Sequence, residues 1–291
     1  MGMIALVYLA HIAVIIFGSI SVVWLISLLM RDASIIDIFW GFGFALVGVV
    51  CLYLASERAT VSPSAYVWLM GLMPILWGLR LTLYLAKRNL GHGEDGRYIA
   101  MRKRSGMTEM AWRMRALLTI YWGQGLLILI VSAPVWIAIA MSRVQRDVPL
   151  GDGAQLTEAL PTQIGLLAII GALMWLVGVL FEAVGDAQLA AFLKRNADYD
   201  GPYEDKPVLD TGLWAWTRHP NYFGNALLWW GIFVAACQVP WGWVSIFGPI
   251  IMTLLLLRVS GRDLLERKLK KRPAYRDYVE RTSSFIPKPP K

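Results

Sequence analysis

Chemistry concentrates in one block, Gly212-Leu-Trp-Ala-Trp-Thr-Arg-His-Pro-Asn-Tyr-Phe-Gly-Asn225, at the mouth of an apolar run. Arginine, histidine and asparagine beside lipid are costly unless something binds them. Pro220 disfavours helix in the residue before it and makes a clean helix start at Asn221. The free N–H groups of that helix start, with Arg218 and His219 beside them, form an anion site. The alternative is snorkelling and capping at an interface. Trp214, Tyr222 and Asn225 belong to the same block.

Three further groups could act with it. Glu182 and Asp186 are four apart and share a helical face, suited to hydroxyls such as those of a ribose or to an arginine tie between helices. Lys194 follows them. Arg258, Arg262 and Glu266 make an i, i+4, i+8 stripe, read either as phosphate capture by guanidinium forks or as an Arg–Glu ladder. Asp37 and Trp40 lie near the start of one apolar run, and Trp77 and Arg80 inside the next. An arginine within a span needs a partner, and Asp37, at similar depth, is the expected one. Tyr84, Tyr98, Tyr121 and Gln124 are additional polar handles, any of which can also be a satisfied core group.

The elements that carry these residues are membrane helices. Of 291 residues 57% are hydrophobic and only 16% charged, with mean hydropathy +0.53, which is polytopic membrane composition. Fourteen Trp and eleven Tyr suit two water–lipid interfaces. The net charge of +8 follows membrane flanks rather than one soluble face, which argues against nucleic acid. Cys51 and Cys237 lie in apolar runs, without disulfide or metal-ligand spacing, so no metal is expected. The first apolar run lacks a basic leader and is too long for a signal peptide, so it reads as a true span.

With about 20 apolar residues needed per crossing, the expectation is an all-α polytopic fold of seven transmembrane helices in a single domain, 1–291. The spans are about 4–29, 35–55, 66–86, 114–141, 162–192, 219–237 and 240–260, with a tail from 261 to 291. With the N-terminus outside, the outer loops hold only Arg58, Arg143 and Arg146 of 28 basic residues. That bias sets the N-terminus out and the C-terminus in. The tail begins as an amphipathic helix and breaks at Pro287, Pro289 and Pro290; it suits an anionic lipid surface, a role compatible with cofactor contacts.

The chain resembles the steroid 5-alpha-reductase superfamily, closest to its bacterial branch of membrane proteins. The likeness rests on DIFWGFGF, WGLRLTLYLAKRN, FEAVGDAQ, GLWAWTRHPNYFGN and LLERK…RPAYRDYVERTSSFIP, in this order. It implies a seven-helix bundle in the bacterial inner membrane, NADPH held at the cytoplasmic end and a lipidic enone, such as a Δ4-3-oxo steroid, entering from the bilayer. No GxGxxG follows a strand, so such a dinucleotide site is not of the Rossmann kind. On this likeness the cofactor-binding residues are Glu182, Asp186, Lys194, Trp214, Arg218, His219, Asn221, Tyr222, Asn225, Arg258, Arg262 and Glu266. The catalytic residues are Asp37, Arg80 and Tyr98, and Trp40, Trp77, Tyr84 and Gln124 meet the substrate. Steroid-reducing relatives carry Gly-Glu where this chain has Gly224-Asn225, and a tyrosine where the nearest match here is Trp77, which leaves the proton donor open. Isoprenylcysteine carboxyl methyltransferases look similar at RHPNY, so an S-adenosylmethionine-dependent methyltransferase is the alternative. A lipid-binding membrane protein without catalysis is the third reading. Lipids are the expected partners, and oligomeric state stays open.

Overall fold

The computed structural model describes residues 2–57, 63–142, 145–149, 155–159, 163–259, 266 and 269–290. Most of these are helical, and they include one short antiparallel strand pair, Gln145–Pro149 with Gln155–Ala159. Among the described residues five helices are long and apolar enough to cross a membrane: Met3–Met30, Ile35–Glu57, Ala65–Asn89, Glu109–Val131 and Leu166–Arg195. Contacts divide the chain into two compact units, 1–168 with 235–248, and 169–234 with 249–291.

The first unit holds α1 (Gly2–Met30), α2 (Ile35–Glu57), α3 (Ala65–Asn89), α4 (Gly96–Ser105), α5 (Glu109–Ala116), α6 (Trp122–Val131) and α7 (Ala133–Met141). A π-helical turn, Leu117–Tyr121, joins α5 to α6 in one continuous helix. The α2–α3 pair is antiparallel and set by glycine. A Cβ on Gly41 would lie 2.6 Å from the Gly78 carbonyl oxygen, and one on Gly48 would lie 2.5 Å from that of Gly71. Without side chains there, the backbones meet directly, which is how helices gain dispersion energy in lipid.

The expected fourth span, 114–141, is two helices. Pro134 lacks the N–H a continuous helix needs and its ring crowds the preceding turn, so the long helix ends at Val131 and α7 restarts with proline in its first turn. Pro74, by contrast, stays inside α3. The short helices α4 and α5 are capped by Asp95 and Thr108, whose side chains accept from Arg97 N and Ala111 N, and Gly106 ends α4 with φ of 61°.

The second unit is built on α8 (Leu166–Arg195) and α10 (Pro220–Ala236), with a single turn, α9 (Leu213–Trp216), before α10. Glycines again set the distance: a Cβ on Gly178 would lie 2.6 Å from the Gly224 carbonyl oxygen, and one on Gly231 2.6 Å from that of Gly171. The region expected as the sixth span is this 17-residue α10. In place of the seventh comes a shorter apolar helix, Gly242–Arg258. It is made of a 3-10 turn, α11 (Phe247–Leu254) and a π-helical turn, Leu255–Val259. Beyond it, α12 (Pro273–Arg281) buries Tyr275 and Tyr278 on one face.

Candidate functional site

In the first unit Asp37, on the opening turn of α2, is the centre of a polar cluster. Its Oδ1 accepts from the Tyr98 hydroxyl at 2.6 Å and its Oδ2 from Arg97 Nη2 at 2.7 Å. Asp37 is not paired with Arg80, the partner expected from their similar depth; its partner at ion-pair distance is Arg97, delivered by α4. Asp95 orients Arg97 by accepting from its Nε at 3.0 Å and its Nη2 at 3.2 Å. Burial raises the Asp95 pKa, but the Arg97 bonds outweigh it and hold the carboxyl below its ordinary value. Tyr98 is only 4% exposed. Burial, then the Asp37 charge and the hydrogen bond to it, push the Tyr98 pKa well above that of a free phenol, with Gln124 as a second neighbour of the hydroxyl. The phenol therefore keeps its proton at neutral pH.

Aromatic rings line the same helices. Trp40 meets Phe44 edge-on at 5.2 Å, and Phe44 meets the fully buried Trp77 at 5.4 Å. Tyr84 is half-buried under the Arg88 guanidinium. Tyr121 donates to the Ala33 carbonyl at 3.0 Å and so fixes the loop before α2.

In the second unit two carboxylates face two amides. Asn221 Nδ2 donates to Asp186 at 3.0 Å, and Asn225 Nδ2 donates to Glu182 at 3.2 Å. The i, i+4 spacing on α8 matches the i, i+4 spacing on α10, so the pairs stack as rungs. Glu182 and Asp186 are buried. The Asn225 amide oxygen is buried too and has no hydrogen-bond partner among the described residues. A buried acceptor left open fits a ligand hydroxyl or amide.

The residues before α10 are spent differently from the anion site expected there. Arg218 is 7% exposed and clasps Glu266: Nε to Oε1 at 2.8 Å and Nη2 to Oε2 at 3.3 Å. Its Nη1 donates to the carbonyls of Thr282 at 2.6 Å and Val279 at 3.1 Å. His219 Nε2 lies 3.1 Å from Glu266 Oε1. An ionised carboxylate only accepts, so this nitrogen carries the proton. Burial raises the Glu266 pKa, but hydrogen bonds from His219 and Arg218 outweigh it and hold the group far below its ordinary value. Tail residues also take the backbone of the block: Ser283 O accepts from Arg218 N at 2.9 Å, and Lys288 N donates to Trp216 O at 2.9 Å. The Tyr278 hydroxyl donates to Trp214 O at 2.5 Å. Trp214 sends its indole N–H to Gly185 O at 3.1 Å, and His219 stacks on Tyr222 with ring centroids 5.4 Å apart. Arg218, His219 and Glu266, with Lys270 Nζ 3.2 Å from Glu266 Oε2, thus form a buried cluster that ties the start of α10 to the tail.

Of the other expected residues, Lys194 and Arg258 are exposed, and Arg262 lies outside the described residues. Two contributors escaped the sequence reading. Arg97 was one basic residue among many in its loop; the helix cap Asp95, two residues before it, is the signal that orients it. Gln188 accepts from Leu213 N at 3.1 Å, holding the start of α9. Among the described residues no group of three or more His, Cys, Asp or Glu could hold a metal.

None of the curated proteins and none of the solved structures matches the chain. A family match covers residues 23–282, from within α1 to just past α12, and by it the chain belongs to the family described as "Protein of unknown function (DUF1295)".

Proposed function

We propose that this chain is an NADPH-dependent membrane reductase of the steroid 5-alpha-reductase kind, reducing the carbon–carbon double bond of a lipidic enone. The observation that carries the reading is the buried Tyr98 hydroxyl held on Asp37, which Arg97 fixes in turn. It supplies the protonated acid that Trp77 could not. On this reading the chain makes seven crossings, with the N-terminus outside and the cofactor site on the cytoplasmic side of a bacterial inner membrane. Green fluorescent protein fused after residue 291 should then fluoresce, and alkaline phosphatase fused there should stay inactive.

The donor set suits a dinucleotide. The Glu182 and Asp186 carboxylates with the open Asn225 oxygen match ribose hydroxyls. Arg258 with Arg262, and Lys194, are the cations for its phosphates. Arg218 and His219 support that site at one remove, by fixing the start of α10. Bound there, NADPH would supply the hydride that reduction of the enone needs. The Tyr98 hydroxyl proton, resting on Asp37 Oδ1, is the one to meet the developing enolate oxygen. Asp37 and Arg97 hold that hydroxyl in place, with Gln124 as a further neighbour. The half-buried Trp40, packed on Phe44 with the buried Trp77 behind it, offers an apolar ring to a flat lipid ring.

The test is thermal stabilisation of the detergent-purified protein by NADPH, NADH and S-adenosylmethionine, then NADPH oxidation with a panel of enone lipids. A ligand at a hundred times its Kd adds about 2.7 kcal/mol. Selective stabilisation by NADPH supports the reductase. S-adenosylmethionine acting alone moves the protein to methyl transfer, and silence from all three removes the dinucleotide reading.

A further inference from the structure

A second polar site lies in the first unit, and the reductase reading does not use it. α1 ends in a turn closed by the Asp32 N–H on the Ser27 carbonyl at 3.2 Å. The residue inside that turn is Arg31, with φ of 56°. Helix ends of this form are the usual place for glycine, because any side chain strains a left-handed backbone. Here the strained residue is an exposed arginine with no hydrogen bond or ion pair among the described residues. Backbone strain kept at a position points to a use for its side chain.

Arg31 lines one open groove with Leu28, Leu29, Arg102, Glu109 and Arg113. Three cations thus face one carboxylate. Arg102 spends Nη2 on Glu94, at 2.5 and 2.7 Å, while its buried Nε has no hydrogen-bond partner and stands 3.8 Å from Glu109. Arg113 gives Nε to Glu109 at 2.8 Å. The Trp24 indole N–H donates to the Arg113 carbonyl at 3.0 Å and holds the end of α1 beside α5. One apolar crossing helix ends at Met30 and another begins at Glu109, so the groove opens at the level where a bilayer carries its phosphates. Leu29 is 85% exposed and offers an apolar wall on the same groove.

We infer that Arg31, Arg102 and Arg113 bind the phosphate of an anionic phospholipid, with an acyl chain along Leu28 and Leu29. Guanidinium forks match phosphate geometry, and the desolvated Arg102 Nε gains the acceptor it lacks. A soluble phosphate would share the ionic contacts but leave the leucine wall unused.

The experiment compares dioctanoyl phosphatidylglycerol, dioctanoyl phosphatidylcholine and inorganic phosphate by calorimetric titration into the full-length protein in detergent. Phosphatidylglycerol should bind, phosphatidylcholine should bind at least about tenfold more weakly, and Arg31→Gly with Arg113→Gln should weaken phosphatidylglycerol by at least about tenfold, the scale of a single lost charged hydrogen bond. Arg31→Gly alone should keep the lipid-free melting temperature or raise it, because glycine relieves the turn; this separates loss of binding from loss of folding. Equal affinity for the two lipids, or unchanged affinity in the double variant, overturns the site. Inorganic phosphate binding as tightly as phosphatidylglycerol overturns the lipid assignment.

Discussion

Tyr98 and Glu266 illustrate two uses of a buried polar group, and each makes a prediction. Tyr98→Phe keeps the ring and removes only the hydroxyl, so under the proposed reduction turnover of an enone should fall by about 10²–10⁴ while stabilisation by NADPH is kept. Asp37→Asn should behave alike, because it frees the hydroxyl and Arg97 together. If either variant loses cofactor binding and turnover equally, the cluster is a structural tie between α2 and α4. Glu266 is the counter-charge for a buried arginine. Glu266→Gln leaves Arg218 without its anion and should cost about 3–5 kcal/mol, the range for breaking one side of a buried pair, read as a lower melting temperature in detergent. The pH dependence has a definite sign. The folded-state pKa of Glu266 is depressed below its ordinary 4.5, so its stabilisation is complete above that value and is lost as pH falls below it toward the folded-state pKa. Acid titration of wild type and Glu266→Gln should converge in that range and differ at neutral pH.

At the scale of elements, the glycine-paired helices make the strongest claim. Gly178→Val would drive a branched side chain into the Gly224 carbonyl and the Leu228 backbone, which are not flexible ends that can move aside. The expected loss is about 1–3 kcal/mol, measured by unfolding in mixed micelles, whereas Gly123→Ala, with open space at its Cβ, should be neutral. This pattern was visible in the sequence: Gly171, Gly178 and Gly185 lie seven apart, as do Gly224 and Gly231. The matched spacing of Glu182–Asp186 with Asn221–Asn225 was equally readable, and the structure joins them as rungs. The break at Pro134 was not anticipated, because hydropathy summed over a window counts proline as one weakly polar residue and does not register its missing donor.

For the whole molecule, the helical membrane character follows from composition, because so apolar a chain leaves few other homes for its helices. Pairings between distant segments were hidden. Asp37 and Arg97 are 60 residues apart, and Arg218 and Glu266 are 48 apart. Such distances are set by how loops fold back, about which local periodicity carries no information. The clasp around Arg218 has a consequence for biosynthesis. Its carbonyl acceptor on Thr282 lies 64 residues downstream, beyond α10 and the apolar helix that follows it. At 5–20 residues per second, a ribosome needs about 3–13 s to supply it. Until then the start of α10 carries an arginine whose set of partners is incomplete, Glu266 arriving first, 48 residues downstream, and Thr282 last. The newborn chain therefore passes through a stage in which its helices can be inserted while the block remains open, and the arrival of the tail marks the moment when the second unit becomes native.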